Sequence, residues 1–195
     1  MFNINQFKNF GLNRGGVRPS LFRVEIFPRI VADPSTLTKF TFTARASEIP
    51  ASTIDTINVP YFGRQVKLAG DRTFADWSVT IMNDEDYSVR HMLEDWSNQI
   101  NQYAGNLKIA PMNSYKDSDA AVTQFSKDGH IIRQYKLIGI FPTTISAMGL
   151  DWDSTNTVQT FDTTFAYDYW IPVPVASYQF NTGAPIGDSQ LAGAI

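Results

Sequence analysis

Two blocks of period-two alternation constrain the fold of this chain more than any other feature in it. Within residues 69–84, Trp77, Val79 and Ile81 alternate with Asp76, Ser78 and Thr80. Within residues 150–170, Phe161, Thr163, Phe165, Tyr167 and Tyr169 alternate with Thr160, Asp162, Thr164, Ala166 and Asp168. Successive side chains of a strand point to opposite faces, so each block carries one packed face and one face of short polar and acidic groups. A sheet built on them is dry on one side and wet on the other.

The remaining sequence predicts further strands and one helix. Residues 21–30 set Leu21, Arg23, Glu25 and Phe27 against Phe22, Val24 and Ile26, and residues 38–46 set Phe40, Phe42 and Ala44 against Thr41, Thr43 and Arg45. Residues 47–69 hold Pro50 and Pro60 among alternating Ile54, Thr56, Asn58 and Ile57, Val59, a pattern of a projecting hairpin and not of a central strand. Asn83, Asp84, Glu85 and Asp86 offer capping oxygens and negative charge to a helix N-terminus. Val89, Met92, Leu93, Trp96, Ile100 and Tyr103 follow at helical spacing. Asp128-Gly129 marks a hairpin between strands at 120–126 and 131–141; residues 142–149 connect to a long last strand at 157–170.

Residues 1–19, with Gly11, Gly15, Gly16 and Pro19, and residues 171–195, with Pro172, Pro174 and Pro185, read as extended arms around a domain at 20–170. The expected fold class is mainly β: an antiparallel β-sandwich or barrel with one flanking α-helix. A chain of 195 residues fits one such domain, and 14 Phe, 8 Tyr and 4 Trp provide its core.

Composition excludes several functions. Formal net charge is −3, and the basic residues Lys8, Arg14, Arg18, Arg45, Arg64, Lys67, Arg72, Arg90, Arg133 and Lys136 are scattered, which argues against a phosphate-tracking groove. With no cysteine there are no disulfides, thiolate nucleophiles or cysteine zinc sites. Residues 1–11 carry Phe2, Ile4, Phe7 and Phe10 interrupted by Asn, Gln and Lys, unlike a signal peptide. No apolar run approaches the roughly 18 residues of a membrane helix, so membrane insertion is not expected.

Tests for chemistry point away from an enzyme. Only His91 and His130 are available as a general base, one on the helix and one after a hairpin turn. No GxxxxGK[ST] occurs, and Gly15-Gly16 does not make a GxGxxG. Asp151, Asp153, Thr155, Thr157, Gln159 and Asp162 fall at calcium-loop spacing, but position six is Asn156 where glycine is needed, position twelve is Asp, and the run continues as strand. Asp71, Asp76, Asp151 and Asp153 could be assembled into a glycosidase carboxylate pair, but nothing local in the sequence predicts the buried or crowded site such an acid requires. No catalytic, cofactor or metal residue is assigned.

Four stretches carry a family resemblance: RPSLFRVEI (18–26), AGDRTFADWSVTIMND (69–84), HIIRQYKLIGIFPT (130–143) and LDWDSTNTVQTFDTTFAYDYW (150–170). In this order they closely resemble the tail tube proteins of contractile-tailed bacteriophages (myoviruses). The resemblance implies a structural virion protein of the tail tube, six copies per ring, with rings stacked inside a contractile sheath. It implies as partners the protein itself, the tail sheath protein, the tape measure protein, and baseplate and tube terminator proteins, with DNA crossing the channel without specific binding during ejection. Family members use a projecting loop to meet the neighbouring ring. The matching region here is 47–69, where Ile54, Ile57, Val59, Tyr61 and Phe62 are the expected inter-subunit or inter-ring contacts. Inner sheets of six subunits line the channel, and Asp76, Asp162 and Asp168 are the residues expected to face the lumen and repel the DNA backbone. The alternatives are a tube ring of a related contractile injection or secretion system, or a β-sandwich hydrolase or glycan-binding module.

Overall fold

The alternation in residues 131–173 organises the whole fold, because that segment forms one antiparallel ribbon that bends from one sheet into another. The computed structural model describes residues 3–12, 15–29, 33–108 and 110–174. Strands β1 (Phe22–Phe27), β6 (Asp119–Phe125), β7 (Ile131–Ile138) and β10 (Tyr169–Val173) form a first sheet in the order β1-β6-β7-β10. Strands β2 (Ala44–Ser47), β5 (Trp77–Met82), β8 (Phe141–Ile145) and β9 (Thr160–Ala166) form a second in the order β2-β5-β9-β8. Within the ribbon, β7 pairs with β10 in the first sheet and β8 pairs with β9 in the second.

Residues 131–141 and 157–170 are therefore not two continuous strands as the alternation suggested. Each breaks at the crossing, residues 142–145 belong to strand β8 and not to a connector, and the breaks sit side by side. Gly139 has φ +73, and a Cβ there would lie 2.6 Å from an Asp168 carboxylate oxygen. The Asp168 amide donates to the Ile138 carbonyl at 3.0 Å, and its carboxylate accepts from Lys116 Nζ at 2.5 Å. Switching sheets at a bend is how sandwich corners are made.

Between the sheets lies one core. Val24 and Ile26 of β1 face Ala120 and Val122 of β6, as their register requires, and all four are buried. Trp77, Val79 and Ile81 of β5 face Phe165, Thr163 and Phe161 of β9, also buried. Phe165 is packed between two indoles, with ring centroids 5.4 Å from Trp77 and 6.2 Å from Trp96.

Two substantial helices flank this core where one was expected. Residues 38–46 were read as a strand because Phe40, Phe42 and Ala44 alternate; instead Pro34–Thr43 is a helix, and only Ala44–Ser47 continues as β2. Asp33 caps it, accepting from the Ser35 and Thr36 amides and from both hydroxyls, and Pro34 occupies the first helical turn where no N–H is needed. In the helix Thr36 and Phe40 are buried while Phe42 is 78% exposed, which a strand would not allow. The second helix, Ser88–Ile100, buries Val89, Met92, Leu93 and Trp96 as its spacing predicts. Lys39 of the first helix bonds Asp84 and Asp86 just before the second, which raises the lysine pKa and holds both carboxylates below their usual range.

The ends of the chain depart from extended arms where they are described. Ile4–Gln6 is a helical turn continued by a π-helical turn at Phe7–Gly11. A four-residue helix, Met112–Tyr115, precedes β6. In chain order these helices are α1 (Ile4–Gln6), α2 (Pro34–Thr43), α3 (Ser88–Ile100) and α4 (Met112–Tyr115). Tyr169–Val173 is strand β10 and not part of an arm; residues 175–195 of the expected C-terminal arm lie outside the described residues.

Gly139→Ala forces a left-handed L-residue, at a cost of about 1–2 kcal/mol, and also pushes Asp168 from its seat. Urea unfolding is expected to show a loss of at least that size. Hydrogen bonds from Thr36 and Ser35 hold Asp33 at about 2 against 3.8 for a free carboxyl. A lowered carboxyl pKa adds stability that is complete above the unfolded value and lost as pH falls to the folded one. The urea midpoint should therefore drop between pH 3.8 and about 2, and Asp33→Asn, which caps without titrating, should flatten that drop.

Candidate assembly surfaces

Strands β3 (Ser52–Tyr61) and β4 (Arg64–Phe74) form a separate two-stranded sheet that leaves the sandwich beside Trp77. Ten residues per arm reach roughly 30 Å, and every residue from 53 to 69 is exposed. The base is anchored: Phe74 packs on Tyr167 and Trp170, and the Trp77 indole donates to Ser47 Oγ and the Glu48 carbonyl. The tip is a tight turn with φ +44 at Phe62 and +78 at Gly63, the two left-handed positions of a type I′ turn. An aromatic that is 91% exposed and held in a disfavoured backbone region marks a functional position better than either property alone.

Register sorts the hairpin into two unlike faces. Ile57 lies opposite Leu68, Val59 opposite Val66 and Tyr61 opposite Arg64, giving one apolar face; Thr56, Asn58, Pro60, Gln65, Lys67 and Ala69 form the other. Between the Ile54/Arg72 and Thr56/Ala69 pairs, β3 has one residue and β4 has Gly70 and Asp71, a bulge. Gly70 is required there because a Cβ would come within 2.9 Å of the Asp55 carbonyl oxygen. Of the five contact residues expected from the sequence, Ile57, Val59 and Tyr61 share the apolar face and Phe62 sits at the tip, while Ile54 points to the opposite side. Val66 and Leu68 complete the apolar face and were missed. Their alternation with Gln65 and Lys67 was readable, but only the position of the turn pairs them with Val59 and Ile57.

A second surface is the outward side of the β2-β5-β9-β8 sheet. Ser78 and Thr80 of β5 lie beside Thr164 and Asp162 of β9, and the Thr80 hydroxyl donates to Asp162 at 2.6 Å. Asp76 is exposed just before β5. Burial pushes the nearby Tyr167 phenol up to about 12, with the Asp76 and Glu48 carboxylates adding to the effect. Asp168 does not join this face: it lies in the crossing between β9 and β10, paired with Lys116. The continuous alternation predicted for residues 160–168 fails there because the chain changes sheets.

Chemistry elsewhere is sparse among the described residues. No group of three or more metal-ligating side chains comes together. In the calcium-like run, Asp162 is engaged by Thr80, and the Gln159 amide by Asn83 and Gly149. His91 is exposed beside Asp95 at 3.5 Å. A cleft of about 380 Å³ between α3 and β8 is lined by Arg90, Glu94, Ser97, Tyr103, Pro142, Thr143 and Ile145. Its one carboxylate, Glu94, is held by Arg90 at 2.7 Å, and Arg90 also donates to the Ser146 carbonyl.

Comparison with known proteins gives this geometry a context. Residues 17–173 match the model of a phage tail tube protein family. The tail tube protein gp19 of Enterobacteria phage T4 is 38% identical over 155 residues, covering 78% of this chain and 90% of the relative. Two solved structures share the fold: a chain from the baseplate of the anti-feeding prophage has a TM-score of 0.63 at 13% identity, covering 83% of this chain and 97% of its own. A chain from the sheath–tube complex of an extracellular contractile injection system has 0.58 at 15% identity, covering 90% and 100%. A family match over most of the sequence and a relative of this identity lead to one conclusion: the chain belongs to the phage tail tube proteins, components of the phage tail.

Proposed function

We propose that this protein forms stacked hexameric rings that make the inner tube of a contractile tail, the conduit for DNA during ejection, and that it works by assembly without catalysis. The observation that carries the reading is the hairpin, whose cross-strand pairs Ile57/Leu68 and Val59/Val66 expose a continuous apolar face that the described residues leave uncovered. A strand pair of this length is marginal in water by itself and gains stability when its apolar face is covered. The edge strands β2 and β8 bound a sheet whose outward face is short and hydroxylated, and pairing these edges between subunits turns that face into a channel wall. In the assembled tail the outer surface meets the sheath, the ends of the tube meet baseplate and terminator proteins, and the tape measure protein and DNA occupy the lumen.

Changing Ile57, Val59, Val66 and Leu68 together to Ser alters only exposed side chains. The variant is expected to fold, judged by circular dichroism, and to form no tubes in negative stain in the presence of a nucleating baseplate. Normal tubes would remove the hairpin from the interface.

In the same reading Asp76 and Asp162 place two carboxylates per subunit on the channel wall, where like charge keeps the DNA backbone from adhering. Asp76→Lys with Asp162→Lys should slow ejection and produce DNA retention that weakens with salt. Unchanged ejection would place these acids away from the lumen. Asp168, held by Lys116 at the sheet crossing, is not assigned to the wall.

A further inference from the structure

One carboxylate on the polar face of the second sheet is held unlike the others on or beside the strands. Glu25 of β1 pairs with Arg23 at 3.2 Å, Asp119 of β6 with Lys136 at 2.8 Å, and Asp168 at the crossing with Lys116 at 2.5 Å. Each of these charges is cancelled by a cation beside it. Asp162 of β9 has no such cation among the described residues, and its carboxylate accepts instead from the Thr80 hydroxyl at 2.6 Å. That length is in the range of a charge-assisted O–H···O⁻ bond. The donor is neutral, so the side chain is fixed while its charge is kept.

The backbone of Asp162 is fixed as well. Its amide donates to Ser146 Oγ at 2.8 Å, and its carbonyl accepts from the Ser146 amide at 2.8 Å. Asp162 is thus held on the β8 side through its main chain and on the β5 side through its carboxylate. Register surrounds it with short groups: Thr80 and then Ala46 lie on its own rung, and Ser78, Thr164 and Thr144 lie on the next. Arg45, in the β2 bulge two strands away, is exposed and does not pair with it.

A freely turning carboxylate on such a face has two opposed effects on a passing polyanion. It repels a phosphate directly, but through a divalent cation it also holds one, since magnesium is commonly bound between a carboxylate and phosphate oxygens. Such a bridge needs a carboxylate that can turn toward the ion. We propose that Thr80 is a positioning residue: by holding the Asp162 carboxylate against the sheet it keeps the wall negative while denying DNA phosphates a magnesium-mediated grip. A lysine tether would also hold the group but would cancel its charge, as Lys136 does for Asp119.

The inference rests on the channel reading and names what governs the behaviour of its acid. The test uses virions carrying variant tubes and follows genome ejection by the fluorescence of a DNA-binding dye across a magnesium series. Magnesium also changes DNA packing in the capsid, so the quantity read is the ratio of variant to wild-type rate at each concentration. For Thr80→Val, which keeps the shape of threonine and removes the donor, that ratio should fall about three-fold or more from chelator to high magnesium. Thr80→Ala, which deletes the hydroxyl without adding a methyl, should give the same fall. Thr80→Ser, which keeps the hydroxyl, should hold the ratio constant. Thr80→Val with Asp162→Asn should lose the magnesium dependence, because the effect runs through the carboxylate. A constant ratio for Thr80→Val and Thr80→Ala, or a dependence that survives Asp162→Asn, would overturn the role of Thr80 while leaving the channel reading in place. Virions with Asp76→Lys and Asp162→Lys that eject normally would overturn the lumen assignment beneath it.

Discussion

The fold depends on a single crossing, where the ribbon of β7–β8 and β9–β10 passes from one sheet into the other. Gly139 supplies a left-handed backbone, and the Asp168 carboxylate fills the space where a Cβ would stand. That pairing commits both strands of the ribbon to bend at the same level, so β7 with β10 and β8 with β9 remain in register on either side. The bend lets the aromatic sides of both sheets face one core, and Phe165 can then reach both Trp77 and Trp96. Lys116 compensates the carboxylate, which makes Asp168 part of the framework and explains why it does not share a face with Asp162.

From that framework follow the features suited to assembly. The sandwich buries its large apolar residues efficiently, and α2 and α3 add Phe40, Leu93 and Trp96 to the same core. Apolar groups are also left outside, among them the hairpin face at one end and Leu150 with Trp152 at the other. Their separation by the length of β5 gives the subunit a direction, which a repeating stack requires and a closed two-fold dimer does not. The polar side of the second sheet is different in kind, built from short hydroxyl residues with Asp162 tied to Thr80, and it offers little for a passing polymer to grip.

Much of this was legible in the residues themselves. Alternation located β1, β5 and β9, and for β5 and for β9 up to the crossing it assigned the packed face, because side-chain direction in a strand depends on position alone. The stripe from Val89 to Ile100 located α3 for the corresponding helical reason. Helix α2 was misread because Phe40, Phe42 and Ala44 satisfy a strand period over a short window, and the stronger local signal was upstream, in Asp33 and Pro34. The caps decided the element while the apolar pattern was ambiguous. Among the candidate contacts, alternation in β3 already separated Ile54 from Ile57 and Val59, but grouping them with Val66 and Leu68 required the turn at Phe62-Gly63.

The sequence by itself determined the class of the protein, the wet and dry sides of its main strands and the projecting character of residues 47–69, since these depend on the order and spacing of side chains. Tertiary structure alone decided where long runs of alternation change sheets, which exposed groups share a face and which ends of the subunit oppose each other. Those depend on Gly139 meeting Asp168, on cross-strand register and on the path of β5, contacts between residues far apart in the chain. The two alternating blocks that dominate the sequence thus gain their direction from a glycine and a carboxylate that the alternation does not reveal.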